Sequence, residues 1–293
     1  MKFIVTGASG FIGSEVRKRL EELGHQVIAI DKTFRNPAQD QFEIDITSEA
    51  IEDVISQDSV LIHLAAVSNN KDFDSSPSFA LKTNIVGTQN LYEIASKKKI
   101  RHFIFASSEW VYPESQHSFP ISENVLFDVF SIKSRYGLSK LFSEFMLKEY
   151  CTVPTSILRF GIVYGPRPSP ASAIESLTWE AFNQRPIEVK SPESSRCFIF
   201  IDDLVDGIIA VASNKPKGTC EVLNLCGDSP VSMRKIIETL QLVTNFEGKV
   251  LYGNEIPSLR FPLNAKFKEN FDWNPKTSLA AGMIRLLDFY KIN

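Results

Sequence analysis

The chain has 293 residues, enough for one large domain or two small ones with a buried core. Hydrophobic residues make up 43% and charged residues 23%, as in ordinary soluble globular proteins. A formal net charge of −3 argues against a nucleic-acid-binding protein, which would carry a basic surplus. No apolar run reaches the ~18 residues of a membrane span. We therefore expect a cytoplasmic protein with neither nucleic-acid nor membrane partners.

Short β-branched runs alternate with longer amphipathic stretches through the first half of the chain. This pattern predicts strands over residues 2–6, 25–30, 41–44, 59–64, 101–107 and 155–160. It predicts helices over residues 11–23, from about 48, and over 78–99 and 134–149. Because strands that alternate with helices build parallel sheets, we expect a doubly wound parallel α/β fold.

Turn-forming residues at 165–170 and 190–195 interrupt this alternation. Beyond them the pattern predicts short strands over 197–201 and 221–225. Helices are predicted over 203–212, 232–243 and 279–290. We therefore expect an α/β domain over residues 1–165 and a smaller C-terminal domain made mainly from 166–293.

The four cysteines and four histidines show no metal-binding spacing. No cysteine pair is separated by two residues, as a zinc cluster would require. We expect free thiols and no metal site.

Three glycines follow the first predicted strand directly, at Gly7, Gly10 and Gly13. Glycines allow a tight turn and let backbone N–H groups approach a pyrophosphate closely. The helix that begins there adds a favourable dipole for the negative charge. The strand, glycine turn and helix together predict a dinucleotide-binding site.

The second predicted strand is followed by Asp31. A carboxylate at this position can accept hydrogen bonds from the adenosine ribose and repels a 2′-phosphate, which favours NAD over NADP. Lys32 comes next, and a cation there could bind that phosphate. The sequence alone leaves the role of Lys32 open.

Tyr136 and Lys140 form a Y-x-x-x-K pattern on a predicted helix. Residues four apart lie on one helix face, so the ammonium can stabilise the phenolate and lower the Tyr pKa. Ser107 and Ser108 end the fifth predicted strand, at the sheet edge where ligands bind. The pattern predicts that Tyr136 transfers a proton to or from a substrate hydroxyl that Ser108 holds.

The chain resembles the extended short-chain dehydrogenase/reductase family, specifically its NAD-dependent nucleotide-sugar epimerases and dehydratases. The resemblance covers nearly the whole chain. Besides Asp31, it rests on these motifs in order: GASGFIG (7–13), HLAA (63–66), NIVGTQN (84–90), FIFASSEWVY (103–112), YGLSK (136–140), VYGPR (163–167), RCFIFIDDL (196–204), VLNLCG (222–227) and FDWNP (271–275).

The resemblance implies a Rossmann domain over 1–165 that binds NAD, which the strands near 197–201 and 221–225 rejoin, and a substrate-binding domain made mainly from 166–293. The implied cofactor contacts are Gly7, Gly10, Phe11, Ile12, Gly13, Asp31, Asp45, Ile46, Leu64, Ala65, Ala66, Ser107, Tyr136 and Lys140. The implied catalytic residues are Ser108, Tyr136 and Lys140. The implied substrate contacts are Ser108, Glu109, Trp110, Arg196 and Arg260, of which the arginines would hold a nucleotide diphosphate. The family also implies a homodimer through helices 78–99 and 134–149.

Four positions depart from the family pattern and leave the identity of the sugar nucleotide open. Ile162 stands where many members carry Asn, Cys197 and Asn264 where Asp is usual, and Pro113 where Gly is usual. At Trp110, dehydratases of the family carry a second carboxylate, and an indole cannot act as a base. We therefore expect no loss of water from the substrate.

We expect an NAD-dependent nucleotide-sugar epimerase, acting at C4 through a transient keto-sugar. The alternatives are a 4-keto-sugar reductase or dehydrogenase, and a reductase of a non-sugar carbonyl compound. A dehydratase and a non-catalytic NAD-binding protein are less favoured, since Ser108, Tyr136 and Lys140 are all present.

Overall fold

A computed structural model describes residues 1–34, 38–115 and 119–292. Contacts between Cα atoms divide the chain into two compact units. The first unit consists of Met1–Tyr112, Phe127–Arg159 and Val205–Leu223. The second consists of Pro113–Leu126, Phe160–Leu204 and Asn224–Asn293.

A seven-stranded sheet forms the centre of the first unit. In chain order its strands are β1 (Lys2–Thr6), β2 (Gln26–Asp31), β3 (Gln41–Glu43), β4 (Val60–His63), β5 (His102–Ser108), β6 (Thr155–Phe160) and β7 (Cys220–Leu225). They lie side by side in the order β7-β6-β5-β4-β1-β2-β3. The ladders β1–β2, β1–β4, β2–β3 and β4–β5 are parallel. The predicted doubly wound parallel fold is confirmed.

The core of the first unit follows the register of these strands. Ile4 of β1 lies opposite Ile28 of β2 and Leu61 of β4, and Leu61 lies opposite Phe103 of β5. All four side chains are buried. Strands that are covered on both faces are apolar along most of their length. The apolar runs in the sequence therefore predict these strands well.

The helices around this sheet differ from the prediction at two places. The α-helices are Phe11–Glu22, Asn70–Ser75, Pro77–Leu81, Thr88–Lys98, Arg135–Glu149 and Ile201–Ala212, the last crossing between the units. Glu49–Asp53, Glu109–Val111 and Val129–Ser131 form 3₁₀ turns. The helix predicted from residue 48 is thus only one such turn. The helix predicted over 78–99 is interrupted by a π-helical segment, Lys82–Gly87.

The second unit contains short strands and four complete helices in its described residues. The strands are Pro120–Ile121, Ile162–Tyr164, Ile187–Val189, Ser195–Arg196, Phe198–Phe200, Val231–Ser232, Val250–Tyr252 and Phe261–Pro262. The helices are Ala173–Phe182, Met233–Val243, Ala265–Phe271 and Leu279–Ile292.

The two strands expected to rejoin the large sheet behave differently. Cys220–Leu225 is its edge strand β7. Phe198–Phe200 instead pairs in parallel with Ile162–Tyr164 in a two-stranded sheet. Gly161 permits this pairing, since a Cβ there would lie 2.3 Å from the carbonyl oxygen of Cys197.

No helix among residues 1–34, 38–115 and 119–292 is long and apolar enough to cross a membrane. In the same part of the chain no group of three or more His, Cys, Asp or Glu residues is placed to hold a metal ion. The four cysteines, all within it, are free thiols.

Candidate functional site

The glycine turn after β1 is packed too closely for side chains. Gly7 has a positive φ of 70°, and a Cβ on it would lie 2.7 Å from the backbone nitrogen of Ala65. A Cβ on Gly13 would lie 2.0 Å from the carbonyl oxygen of Gly7. The turn is therefore pressed against the chain after β4 and against the following helix, as a backbone cradle for phosphate requires.

A cavity of about 340 Å³ opens beside this turn. Its walls include residues of the turn after β1, of the chain that follows β2 and of the loop after β4. The order of strands reverses between β1 and β4, where parallel α/β sheets bind their ligands. A glycine turn, a carboxylate and apolar walls at this place fit a dinucleotide.

Seven of the predicted cofactor contacts line the cavity: Gly7, Gly10, Asp31, Ile46, Leu64, Ala65 and Ala66. Phe11, Ile12 and Gly13 lie in the first turn of helix Phe11–Glu22 and do not line it, and neither does Asp45. Six further lining residues are not among the predicted cofactor contacts: Ser9, Lys32, Ile44, Val67, Phe79 and Thr83.

Asp31 is fixed by the glycine turn. Its Oδ2 accepts hydrogen bonds from the backbone nitrogen and the hydroxyl of Ser9, at 2.9 and 2.6 Å. Its Oδ1 accepts one from the backbone nitrogen of Lys32, at 2.7 Å. The carboxylate is thereby held at the mouth of the cavity, next to the glycines.

Lys32 is held between an acidic and an aromatic side chain. Its Nζ lies 3.0 Å from Oδ2 of Asp45 and 4.1 Å from the centre of the Phe79 ring. Burial raises the pKa of Asp45, but hydrogen bonds from Thr47 and Lys32 outweigh it and lower the pKa below its usual value. The charge of Lys32 is therefore already matched within the protein.

Tyr136 and Lys140 lie on helix Arg135–Glu149, whose N-cap is Ser134. The Ser134 hydroxyl accepts a hydrogen bond from the backbone nitrogen of Gly137, at 3.0 Å. Lys140 is 1% exposed, and its Nζ lies 4.6 Å from the centre of the Phe105 ring on β5 and 5.9 Å from that of Tyr136. Ammonium and phenol therefore lie together on the buried face of this helix.

Burial controls the pKa of both groups. It lowers the pKa of Lys140 to about 7, against the attraction of Glu144 one turn further along the helix. It raises the pKa of Tyr136 to about 12, although a hydrogen bond with Ser108 acts in the opposite direction. The phenol is thus protonated in the free protein, and the expectation of a lowered Tyr pKa is wrong for this state, because the effect of burial is larger than that of Ser108.

A close backbone contact brings Ser108 to Tyr136. The turn Glu109–Val111 follows β5, and a Cβ on Gly137 would lie 2.1 Å from the carbonyl oxygen of Trp110. The Ser108 hydroxyl accepts a hydrogen bond from the backbone nitrogen of Trp110, at 3.3 Å. Ser108 and Glu109 are both buried in this turn.

A polar network that the sequence did not predict lies beside helix Arg135–Glu149. The Asn84 side chain accepts a hydrogen bond from Val67 N at 2.8 Å and donates to Val67 O at 2.9 Å and to the Ser139 hydroxyl at 3.0 Å. It joins the cavity wall to helix Arg135–Glu149 and lies in the π-helical segment, a distortion often found at functional sites. In the sequence, this network is marked only by the NIVGTQN motif (84–90), which begins with Asn84.

The predicted substrate arginines lie in the second unit and share one carboxylate. The guanidinium NH2 nitrogens of Arg196 and Arg260 each lie 3.1 Å from Oε1 of Glu114. Arg260 is 4% exposed, whereas the Glu114 side chain is 42% exposed, so the pair joins a buried guanidinium to a carboxylate that reaches solvent.

A glycine turn that fits a dinucleotide, together with Ser108 at the end of β5 and Tyr136 and Lys140 on the helix beside it, is typical of a short-chain dehydrogenase/reductase. The chain belongs to the NAD dependent epimerase/dehydratase family, whose family model matches residues 3–226. This confirms the predicted family, an enzyme of the NAD-dependent class, and NAD as cofactor.

Relatives and solved structures cover essentially the whole chain. The uncharacterized UDP-glucose epimerase YtcB of Bacillus subtilis is 30% identical, in an alignment that covers 97% of this chain and 96% of YtcB. A UDP-N-acetyl-alpha-D-glucosaminuronate decarboxylase of Bacillus cytotoxicus is 25% identical, in an alignment that covers 98% of this chain and 97% of that protein. The UDP-glucuronic acid 4-epimerase of Bacillus cereus, solved with UDP-glucuronic acid and NAD, has a TM-score of 0.86 at 26% identity, covering 100% and 99% of the two chains.

Proposed function

We propose that this protein is an NAD-dependent 4-epimerase of a UDP-sugar. The observation that carries the proposal is the close packing of Gly137 against Trp110, which places Tyr136 beside the turn that follows Ser108 at the end of β5, with Lys140 buried on the same helix. The similarity to UDP-sugar epimerases supports the choice of nucleotide and of reaction.

In this mechanism the protein moves a proton, and NAD held by the glycine turn and Asp31 would supply the hydride acceptor and donor. The Ser108 hydroxyl orients the C4 hydroxyl of the sugar. Tyr136 first loses its own proton to solvent, and its phenolate, which the Lys140 ammonium stabilises, then accepts the proton of the C4 hydroxyl. Tyr136 then gives the proton back after the keto-sugar has turned, so one residue acts as base and as acid.

Two residues of the turn after β5 favour epimerisation over elimination of water. Glu109 follows Ser108 directly, but the next position carries Trp110. Elimination needs an acid and a base beyond Tyr136, and the indole supplies only an N–H donor. We therefore assign no dehydratase activity to the site.

A decarboxylase of a UDP-uronate is the second candidate, favoured by the relative from Bacillus cytotoxicus. Both reactions begin with oxidation at C4, so Tyr136 and Lys140 would serve either one. They differ in what happens to the keto-sugar, and the mass of the product distinguishes them.

The test is incubation of the purified protein with UDP-glucose and, separately, UDP-glucuronic acid, followed by chromatography and mass spectrometry. An unchanged mass at a new retention time, absent with Tyr136→Phe, is the expected result. A product lighter by carbon dioxide would assign a decarboxylase, and one lighter by water a dehydratase. A product that has gained two hydrogen atoms, with one NADH consumed per product, would assign a reductase. A product that has lost two, with one NAD consumed per product, would assign a dehydrogenase.

We propose that Arg196 and Arg260 bind the diphosphate of the UDP-sugar in place of Glu114. Their shared carboxylate is a weaker anion than a diphosphate, which can accept hydrogen bonds from both guanidinium groups. Arg196→Met is expected to raise KM with little change in kcat, in steady-state kinetics with the UDP-sugar. A variant with unchanged KM would contradict this role.

We also propose a homodimer through the outer face of helix Arg135–Glu149. Leu138, Phe142 and Phe145 line an apolar groove of about 560 Å³ with Leu81, Ile85 and Val129. Phe142 is 48% and Phe145 60% exposed, and exposed apolar patches of this kind mark interaction surfaces.

Light scattering tests the dimer. The double variant Phe142→Glu/Phe145→Glu is expected to be monomeric. Leu242→Glu, which places the same charge on an exposed leucine outside this face, is expected to remain dimeric. A monomeric unmodified protein at micromolar concentration would refute the dimer.

A further inference from the structure

Glu144 is a buried carboxylate that the proposed mechanism does not use. It follows Lys140 by four residues on helix Arg135–Glu149, so the two lie on one helix face. It is 2% exposed. A buried charge is costly unless it is paired and hydrogen-bonded, so its partners indicate what it does.

Arg159 on β6 is the main partner of Glu144. Its Nε lies 2.9 Å from Oε1 and its NH2 nitrogen 2.6 Å from Oε2, the two-pronged arrangement typical of strong arginine–carboxylate pairs. Arg159 NH1 donates to the Tyr112 hydroxyl at 2.8 Å, which fixes the guanidinium in turn. Glu144 is therefore an anchored negative charge.

The third partner of Glu144 is the strand that carries the catalytic serine. The Ser107 hydroxyl donates a short hydrogen bond to Oε1 of Glu144. Ser107 directly precedes Ser108 on β5. The bond therefore ties the end of β5, one residue before Ser108, to the helix that carries Tyr136.

Glu144 is the one carboxylate acting on Lys140 among the described residues around that ammonium. The Phe105 ring of β5 is uncharged, and the Tyr136 phenol is neutral because its pKa is raised. His63 of β4 is also neutral, since burial and then Lys140 lower its pKa well below the usual value. Arg159 is paired with the same Glu144 carboxylate.

We propose that Glu144 is a positioning residue of the active site, whose anchored carboxylate keeps Lys140 in its ammonium form and holds the end of β5 that carries Ser108. The inference rests on the proposed function only for the task of Lys140. The charge relationship itself belongs to the folded protein and can be measured without substrate.

Two variants test the charge relationship. Glu144→Gln is nearly isosteric but leaves the Arg159 charge buried, which is strongly destabilising. The double variant Glu144→Leu/Arg159→Met removes both charges and leaves apolar groups of similar size, a replacement that is often neutral for stability. The double variant therefore keeps the test informative if the single variant does not fold.

The first readout is an NMR titration of protein labelled with ¹³C at lysine Cε, with the Lys140 signal assigned by its absence in Lys140→Met. Glu144→Gln is expected to lower the titration midpoint of Lys140 by about 1 pH unit, because an opposite charge stabilises the ammonium. The double variant is expected to lower it by less, because it also removes the like charge of Arg159. An unchanged midpoint in a folded variant would overturn the proposal.

Glu175→Gln is the matched control. Glu175 forms a buried two-pronged pair with Arg167 in the second unit, with Nε and NH2 at 2.9 and 2.8 Å. Breaking that pair is expected to lower Tm and leave the Lys140 midpoint unchanged. A shift as large as that of Glu144→Gln would mean that lost stability moves the midpoint, and would overturn the assignment.

The second readout is the pH profile of kcat with the UDP-sugar. The alkaline limb is expected to move to lower pH in the double variant, by the same amount as the Lys140 midpoint. A uniform loss at all pH values, with both limbs in place, would overturn the positioning role. Absence of epimerase activity in the unmodified protein would overturn the proposed function and leave the titration result standing.

Discussion

Lys32 Nζ lies 3.0 Å from Oδ2 of Asp45, so the cation beside Asp31 is already paired within the protein. The sequence left open whether Lys32 would bind a 2′-phosphate. To do so it would have to leave Asp45 and the ring of Phe79. Asp31 would also repel such a phosphate from the same side.

Asp31→Ala is expected to narrow the difference in affinity between NAD and NADP. The substitution removes an acceptor for the ribose hydroxyls and the negative charge that opposes a phosphate. Isothermal titration of the cofactor-free protein with each nucleotide measures both affinities. Tighter binding of NADP than of NAD by the unmodified protein would contradict this assignment.

Asp45→Asn tests Lys32 separately. It is expected to release the lysine and strengthen NADP binding further when combined with Asp31→Ala. If the double variant binds NADP no better than Asp31→Ala alone, Lys32 is not held back by Asp45.

Tyr136→Phe is expected to lower kcat by about 10²–10⁴-fold, the usual contribution of a general acid–base group. The ring remains, so NAD affinity should change little. Stopped assays of product formation and titration with NAD check the two expectations on one preparation. Turnover close to that of the unmodified protein would assign the proton transfer to another residue.

Gly137→Ala is expected to destabilise the protein and to lower kcat. In an open helix the change would stabilise by about 1 kcal/mol, but here the new Cβ would lie 2.1 Å from the carbonyl oxygen of Trp110. The turn that carries Ser108 must shift, at a cost of about 1–3 kcal/mol. Urea denaturation measures the loss, with exposed Lys148→Ala on the same helix as the control. A gain in stability would contradict the contact.

Lys140→Met is expected to make the cofactor-free protein more stable and inactive. Burial lowers the pKa of Lys140 to about 7 from its usual 10.5, so the folded state binds this proton less readily than the unfolded state. The loss of folding stability caused by this buried lysine is largest below pH 7 and decreases as the pH rises toward 10.5. Calorimetry from pH 6 to 10 should show a Tm advantage that shrinks with rising pH; a constant one would contradict the shift.

The sheet could be predicted because buried parallel strands are marked by apolar runs. Lys2–Thr6 and Thr155–Phe160 have the predicted bounds, and Val60–His63 is one residue shorter at each end. The interrupted helix over 78–99 could not be predicted, since its apolar period continues through it. The π-helical segment contains Asn84, whose hydrogen bonds join Val67 and Ser139, residues distant in sequence.

Only those parts of the site that carry a local sequence motif could be predicted. The glycine turn, Asp31 and the Tyr-Lys pair each have a local pattern with a chemical reason. The sequence indicates a role for Glu144 only weakly, through a spacing of four residues that places it on the same helix face as Tyr136 and Lys140. Its partner Arg159 stands within the apolar run of β6, and only the folded sheet brings the two together.

Helix Arg135–Glu149 carries Tyr136, Lys140 and Glu144 on its buried side and Leu138, Phe142 and Phe145 on its exposed side. The buried residues of this helix must meet the sheet while the exposed residues form the apolar groove. Both requirements fix the same rotation of the helix about its axis. Insertion or deletion of one residue would rotate both sets by about 100°. We therefore expect the length of this segment to be far less tolerant of change than its individual residues.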